Sequence, residues 1–190
     1  MNDRFAMRIP DGWTRYDLTG GELATVAASE TAAVEDPELR AGAEDGYRQA
    51  GELLRAMVRD GALAASGLIE MHDDGLLMAF AGVFGTTLPE GYRDDVALLL
   101  RPDGAARAGA GRTVTAVELP EAGAAVRVTS IERVPVSDDW TADMLTVNTF
   151  VAVPDRPGEH LVISCSTPNL QHADALTGLF DAITATFRFV

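Results

Sequence analysis

The chain reads as an α+β protein: one antiparallel sheet of about six to eight strands, flanked by two or three helices. Three observations predict this class. Apolar runs of strand character arrive in hairpin series and do not alternate singly with helices. Asp74-Gly75 stands between two such runs, a strong short-range hairpin signal. Two segments, after Asp36 and after Pro168, instead repeat apolar residues at helical spacing.

Taken in order, Phe5 to Ile9 alternates apolar and polar residues and predicts a short strand. Pro10-Asp11-Gly12 is a turn, and Trp13 to Leu18 a second short strand. Glu22 to Ala33 is Ala-rich and reads as helical. Asp36-Pro37-Glu38 starts the long helix, because Asp36 can accept from free N–H groups and Pro37 fits the first helical position. Leu39, Ala43, Tyr47, Ala50, Leu54, Met57 and Val58 form its apolar stripe, and Gly61 caps its end. Gly42, Gly46 and Gly51 each weaken that helix by about 1 kcal/mol relative to Ala, which suggests close approach to a sheet or helix.

Leu63 to His72 and Leu76 to Phe84 are the strands around Asp73-Asp74-Gly75. Both are apolar on both faces, which predicts a central position in the sheet. Leu88 to Leu100 can open a helix at Pro89, and Arg101 to Arg112 reads as a Gly/Ala-rich surface loop. Thr113 to Leu119, Ala125 to Val134 and Met144 to Val153 are strands, the first two joined through Pro120-Glu121-Ala122-Gly123. Ser137 to Asp143 is a polar loop, and Pro154 to Gly158 a tight turn into the strand Leu161 to Ser166. Thr167-Pro168-Asn169 starts the last helix, with Leu176, Leu179, Phe180, Ile183 and Phe187 as its stripe and Phe187 to Val190 as an extended tail. No repeat or linker divides the chain, so residues 1–190 read as one domain.

The formal net charge is −14, a field that disfavours nucleic acid and anionic membrane surfaces as partners. All 15 basic residues are Arg, and Ala and Gly abound, which points to a GC-rich bacterial genome. The N-terminus lacks the apolar core of a signal peptide, and no run approaches the length of a spanning helix. Together with a lone cysteine, Cys165, this gives a reducing, cytoplasmic setting as the expectation.

No assembled catalytic, metal or cofactor motif stands out. His72, His160 and His172 show no metal-ligand spacing. Asp73-Asp74, Asp94-Asp95 and Asp138-Asp139 read as solvated loop charges, because adjacent strand residues point to opposite faces. Gly109-Ala110-Gly111 precedes a strand where a phosphate-binding turn would need a helix. Cys165 sits in an apolar run and reads as a buried thiol. The candidate partner-binding residues are Trp140, as an aromatic anchor in an acidic loop, and Arg127 and Arg133, which share one face of a strand with Thr129 and Ile131.

Arg8-Ile9-Pro10-Asp11-Gly12-Trp13 resembles the opening of PsbP-like domains, a superfamily that includes the DcrB-like bacterial proteins. The closing helix and Phe187-Arg188-Phe189 resemble that superfamily's C-terminal helix and Phe-rich tail. The resemblance implies a sheet sandwiched between helices and a non-enzymatic role, as in extrinsic photosystem subunits, GTPase binders and adaptor chaperones for secreted toxins. The leading expectation is therefore a non-catalytic protein-binding module, adaptor or chaperone-like, acting without a cofactor as monomer or homodimer. The alternatives are an enzyme whose site assembles from His160, His172, Cys165 and Glu70, and a structural subunit of a larger assembly.

Overall fold

The computed structural model describes residues 5–16, 18, 27–29, 31–32, 34–72, 75–88, 112–135 and 141–190. Its strands are β1 Phe5–Ala6, β2 Thr14–Arg15, β3 Ala62–His72, β4 Gly75–Thr87, β5 Arg112–Leu119, β6 Gly123–Pro135, β7 Thr141–Ala152, β8 Glu159–Thr167 and β9 Arg188–Phe189. Seven of them form one sheet in the order β2-β3-β4-β8-β7-β6-β5. Every pairing is antiparallel, as the hairpin series predicts. β1 pairs separately with β9, matching Phe5 to Phe189.

Turn chemistry explains the hairpins. The β3–β4 hairpin forms where Asp73-Asp74-Gly75 predicts it, but Gly75, expected in the turn, pairs with His72 as the first residue of β4, and Asp73 and Asp74 lie outside the described residues. At the β5–β6 hairpin, Ala122 N donates to Leu119 O at 3.3 Å and Gly123 takes φ +79°, a three-residue loop closed by a left-handed glycine. β8 then returns beside β4, pairing Phe80 with Ser166 through to Thr87 with Glu159. This pairing joins the β2–β4 block to the β5–β8 block.

The first long helix, α1, covers Pro37–Arg59. Asp36 Oδ1 accepts from Glu38 N at 2.8 Å and Leu39 N at 3.2 Å, the predicted cap. Its buried face runs from Ala43 to Leu54 and packs on β3 and β4. Leu39 and Val58 depart from the expected stripe and are exposed, because they lie in the first and last turns, outside that contact stretch. Gly46 is the close approach: the Leu76 side chain stands where its Cβ would be, whereas a Cβ on Gly42 would meet nothing. Residues 27–29 and 31–32 are helical within the Glu22–Ala33 segment, most of which lies outside the described residues.

The second helix, α2, covers Ala173–Thr184 after a 3-10 turn at Leu170–His172. Leu176, Phe180 and Ile183 are buried as expected. Phe187 is buried too, but past the helix, stacked on Phe5 with ring centres 5.9 Å apart. Thr167-Pro168-Asn169 does not cap the helix. Thr167 Oγ1 donates to Met78 O at 2.7 Å, Asn169 Nδ2 donates to Leu76 O at 2.8 Å, and Met78 N donates to Asn169 Oδ1 at 2.8 Å. These side chains extend the β4 ladder beyond the point where β8 ends.

Alternation along β4 separates two cores. Ala79, Ala81 and Val83 join Val147, Val151, Leu161, Ile163, Cys165 and the α2 residues Leu176 and Phe180. Met78 and Phe80 join Tyr47, Ala50 and Leu54 of α1, with Tyr16 and Ala65. The sheet thus lies between α1 and α2, an α/β/α arrangement. The β3–β4 hairpin is only half central: β4 is third in the order, but β3 lies next to the edge, beside two-residue β2. Its two-faced apolarity arises because Leu68 packs into one core and Ile69 into the other. Among the described residues no helix is long and apolar enough to cross a membrane. The segments 89–100 and 101–111, read as helix and loop, lie outside the described residues.

Candidate partner-binding cleft

β2 pairs only with Gly67 and Ser66 of the much longer β3. Gly67 makes room there: the Tyr16 and Phe80 rings stand where a larger side chain would go. Tyr16 N then donates to Ala65 O at 2.9 Å, one residue past the end of β2. On the other side, β1 is held away from the main sheet by β9, and Arg8 N donates to Thr186 Oγ1 at 2.9 Å. Between them opens a cleft of about 460 Å³. Phe5, Met7, Ile9, Leu18 and Leu63 line it with apolar side chains, and Arg15, Tyr16 and Ser66 with polar ones. Burial, and then repulsion from Tyr47, push the Tyr16 hydroxyl up to about 12, so it is a neutral hydrogen-bonding group at neutral pH. Leu63 is 40% exposed.

Sequence reading missed this cleft. Alternation in Phe5–Ile9 marks Met7 as inward-facing, but no local signal says that β2 stops after two residues.

Of the residues proposed from sequence, Arg127 and Arg133 lie elsewhere, on β6. Trp140 is outside the described residues. Arg127 and Arg133 do share one face of β6, six residues or about 20 Å apart. Arg127 Nη1 approaches Asp181 Oδ1 of α2 at 2.6 Å, too obliquely for a hydrogen bond, and its side chain is 18% exposed. Its Nε and the wholly buried Thr149 Oγ1 opposite it have no hydrogen-bond partner among the described residues. Arg133 forks onto the Asp143 carboxylate across the β6–β7 pair at 3.1 and 3.2 Å, in solvent.

The His/Cys/Glu set is dispersed. Cys165 is fully buried, and burial pushes its thiol up to about 12 despite a hydrogen bond with Thr184 and the nearby Arg127. His160 is buried and donates from Nδ1 to Gly158 O at 3.3 Å. It stands five positions before Cys165 on β8, so the two point to opposite faces about 16 Å apart. Glu70 and His172 are exposed, on β3 and in the 3-10 turn. The acidic pairs and Gly109-Ala110-Gly111 lie outside the described residues.

No family model matches the chain, and no curated protein matches it. Among solved structures it is similar to the solution structure of cyanobacterial PsbP (CyanoP) from Synechocystis sp. PCC 6803. Identity is 13%, the match covers 98% of this chain and 86% of that one, and the TM-score is 0.37. A likeness at that score carries no argument about the site.

Proposed function

We propose that the chain is a non-catalytic protein-binding module of the PsbP-like kind, adaptor or chaperone-like, working in the cytoplasm. The cleft between β1 and the β2–β3 edge carries this reading, because it is a recess beside a sheet edge in which apolar side chains alternate with polar groups. Its volume suits two or three apolar side chains of an extended segment, which presents alternate residues on one side. Main-chain bonds to the outer edge of β3 would add affinity. The net charge of −14 favours a partner whose flanks are basic, through faster encounter.

The test places a photo-crosslinking amino acid at Leu63, inside the cleft, or at Ile131, an exposed apolar position outside it, in the native cell. The reading expects one discrete adduct from position 63, none from 131, and loss of that adduct with Met7→Glu. Equal labelling from both positions, or no adduct from position 63, overturns it.

A further inference from the structure

We propose that β5 is a homodimer interface, joining two copies edge to edge about a two-fold axis at Thr115 into one continuous sheet. β5 ends the sheet order, and no strand lies beyond it among the described residues. Natural edge strands are usually protected by brevity, an internal charge, a proline or a bulge. The opposite edge is protected by brevity, since β2 has two residues. Apart from the charges near its ends, Arg112 and Glu118, β5 has none of these devices. It runs eight residues in unbroken register against β6, and Thr113-Val114-Thr115-Ala116-Val117 holds no charge and no proline. Thr113, Thr115 and Ala116 are exposed, on both faces of the strand.

The occupant follows from the sequence of the edge itself. In an antiparallel pair, outward-pointing backbone groups alternate, so only registers that pair residues of equal parity can form. Among these, the register that sets Thr115 opposite Thr115 of the second copy places Arg112 opposite Glu118 at both ends. It also sets Val114 opposite Ala116 and Thr113 opposite Val117, all on matching faces. Sliding by one step sets Val114 or Ala116 opposite itself and leaves both charges without an opposite. Opposite charges directly across a pair stabilise it, and like charges destabilise it. The edge is therefore complementary to itself in one register. This surface is distinct from the cleft and does not rest on it.

Sedimentation velocity across a concentration series, with charge reversal and register-specific crosslinking, tests the proposal on the full chain. Arg112→Glu alone and Glu118→Arg alone each set like charges opposite one another twice, so each is expected to weaken the dimer about tenfold or more. Combining Arg112→Glu with Glu118→Arg restores the wild-type affinity. Mild oxidation of T115C gives a covalent dimer, since Cys165 is buried and the two introduced thiols face each other at the axis. T113C does not crosslink, because its opposite residue is Val117. A monomer at every concentration, a dimer indifferent to charge reversal, failure of the double reversal to rescue, or crosslinking of T113C as fast as T115C would each overturn the assignment.

Discussion

A Cβ on Gly67 would lie 2.9 Å from Phe80 Cδ1, 2.9 Å from Tyr16 Cε2 and 3.0 Å from the Ala79 carbonyl oxygen. Two rings and a backbone oxygen cannot all retreat. Gly67→Ala is expected to cost about 1–3 kcal/mol in urea unfolding and to loosen Tyr16 at the mouth of the cleft. Tyr16 and Cys165 share another property, since each has its pKa raised to about 12, from 10.0 and 9.0. The folded state therefore holds protons that the unfolded chain releases at lower pH. Their contribution is fully present below pH 9.0 and is lost as pH rises towards about 12. Unfolding midpoints measured at rising alkaline pH should fall, and Tyr16→Phe should flatten the decline above pH 10.0, the ordinary tyrosine value. An equally steep decline in Tyr16→Phe would remove Tyr16 as a cause.

At the scale of elements, the junction after β8 replaces backbone pairing with side chains. Asn169 supplies both a donor and an acceptor to β4, and Thr167 supplies a donor. Asn169→Ala leaves Met78 N and Leu76 O without these partners, which should cost about 2–4 kcal/mol in denaturant unfolding. Asn169→Asp keeps the acceptor for Met78 N and should cost less. Hydrogen exchange at Met78 separates the two substitutions: the amide becomes fast in Asn169→Ala and remains slower in Asn169→Asp. The same motif shows a limit of local reading. Thr-Pro-Asn before an apolar stripe has the composition of a helix start, and the helix does follow. Its polar groups nevertheless bond to a strand some 90 residues earlier, as the separations of 89, 91 and 93 show.

Across the whole molecule, β1 and β9 bring the first and last described strands together, with Phe187 stacked on Phe5 and set edge-on to Phe189. Phe187 is fully buried in the core that holds α2 against the sheet. Phe187→Ala should therefore cost about 3–5 kcal/mol. It should lower the main cooperative transition seen by circular dichroism and not merely fray a tail. A separate early transition with an unchanged main midpoint would mean that the closure is peripheral. The proposed dimer edge and the cleft lie at opposite ends of the sheet order, so a dimer would carry two open clefts.

Local chemistry along the chain is enough to set the kinds of elements and most of their limits. Asp36 and Gly123 act on neighbours a few residues away, and hydrophobic period reports which faces are buried. It also marked Cys165 as buried. How those elements combine follows instead from long-range packing. Return of β8 to β4 put β3 beside the edge and β5 at the far end. Stopping β2 after two residues opened the cleft, and packing α2 on β7 and β8 brought Asp181 beside Arg127 of β6. Each of these depends on contacts between residues far apart in the chain, and neither spacing nor composition encodes which distant surface a given face will meet.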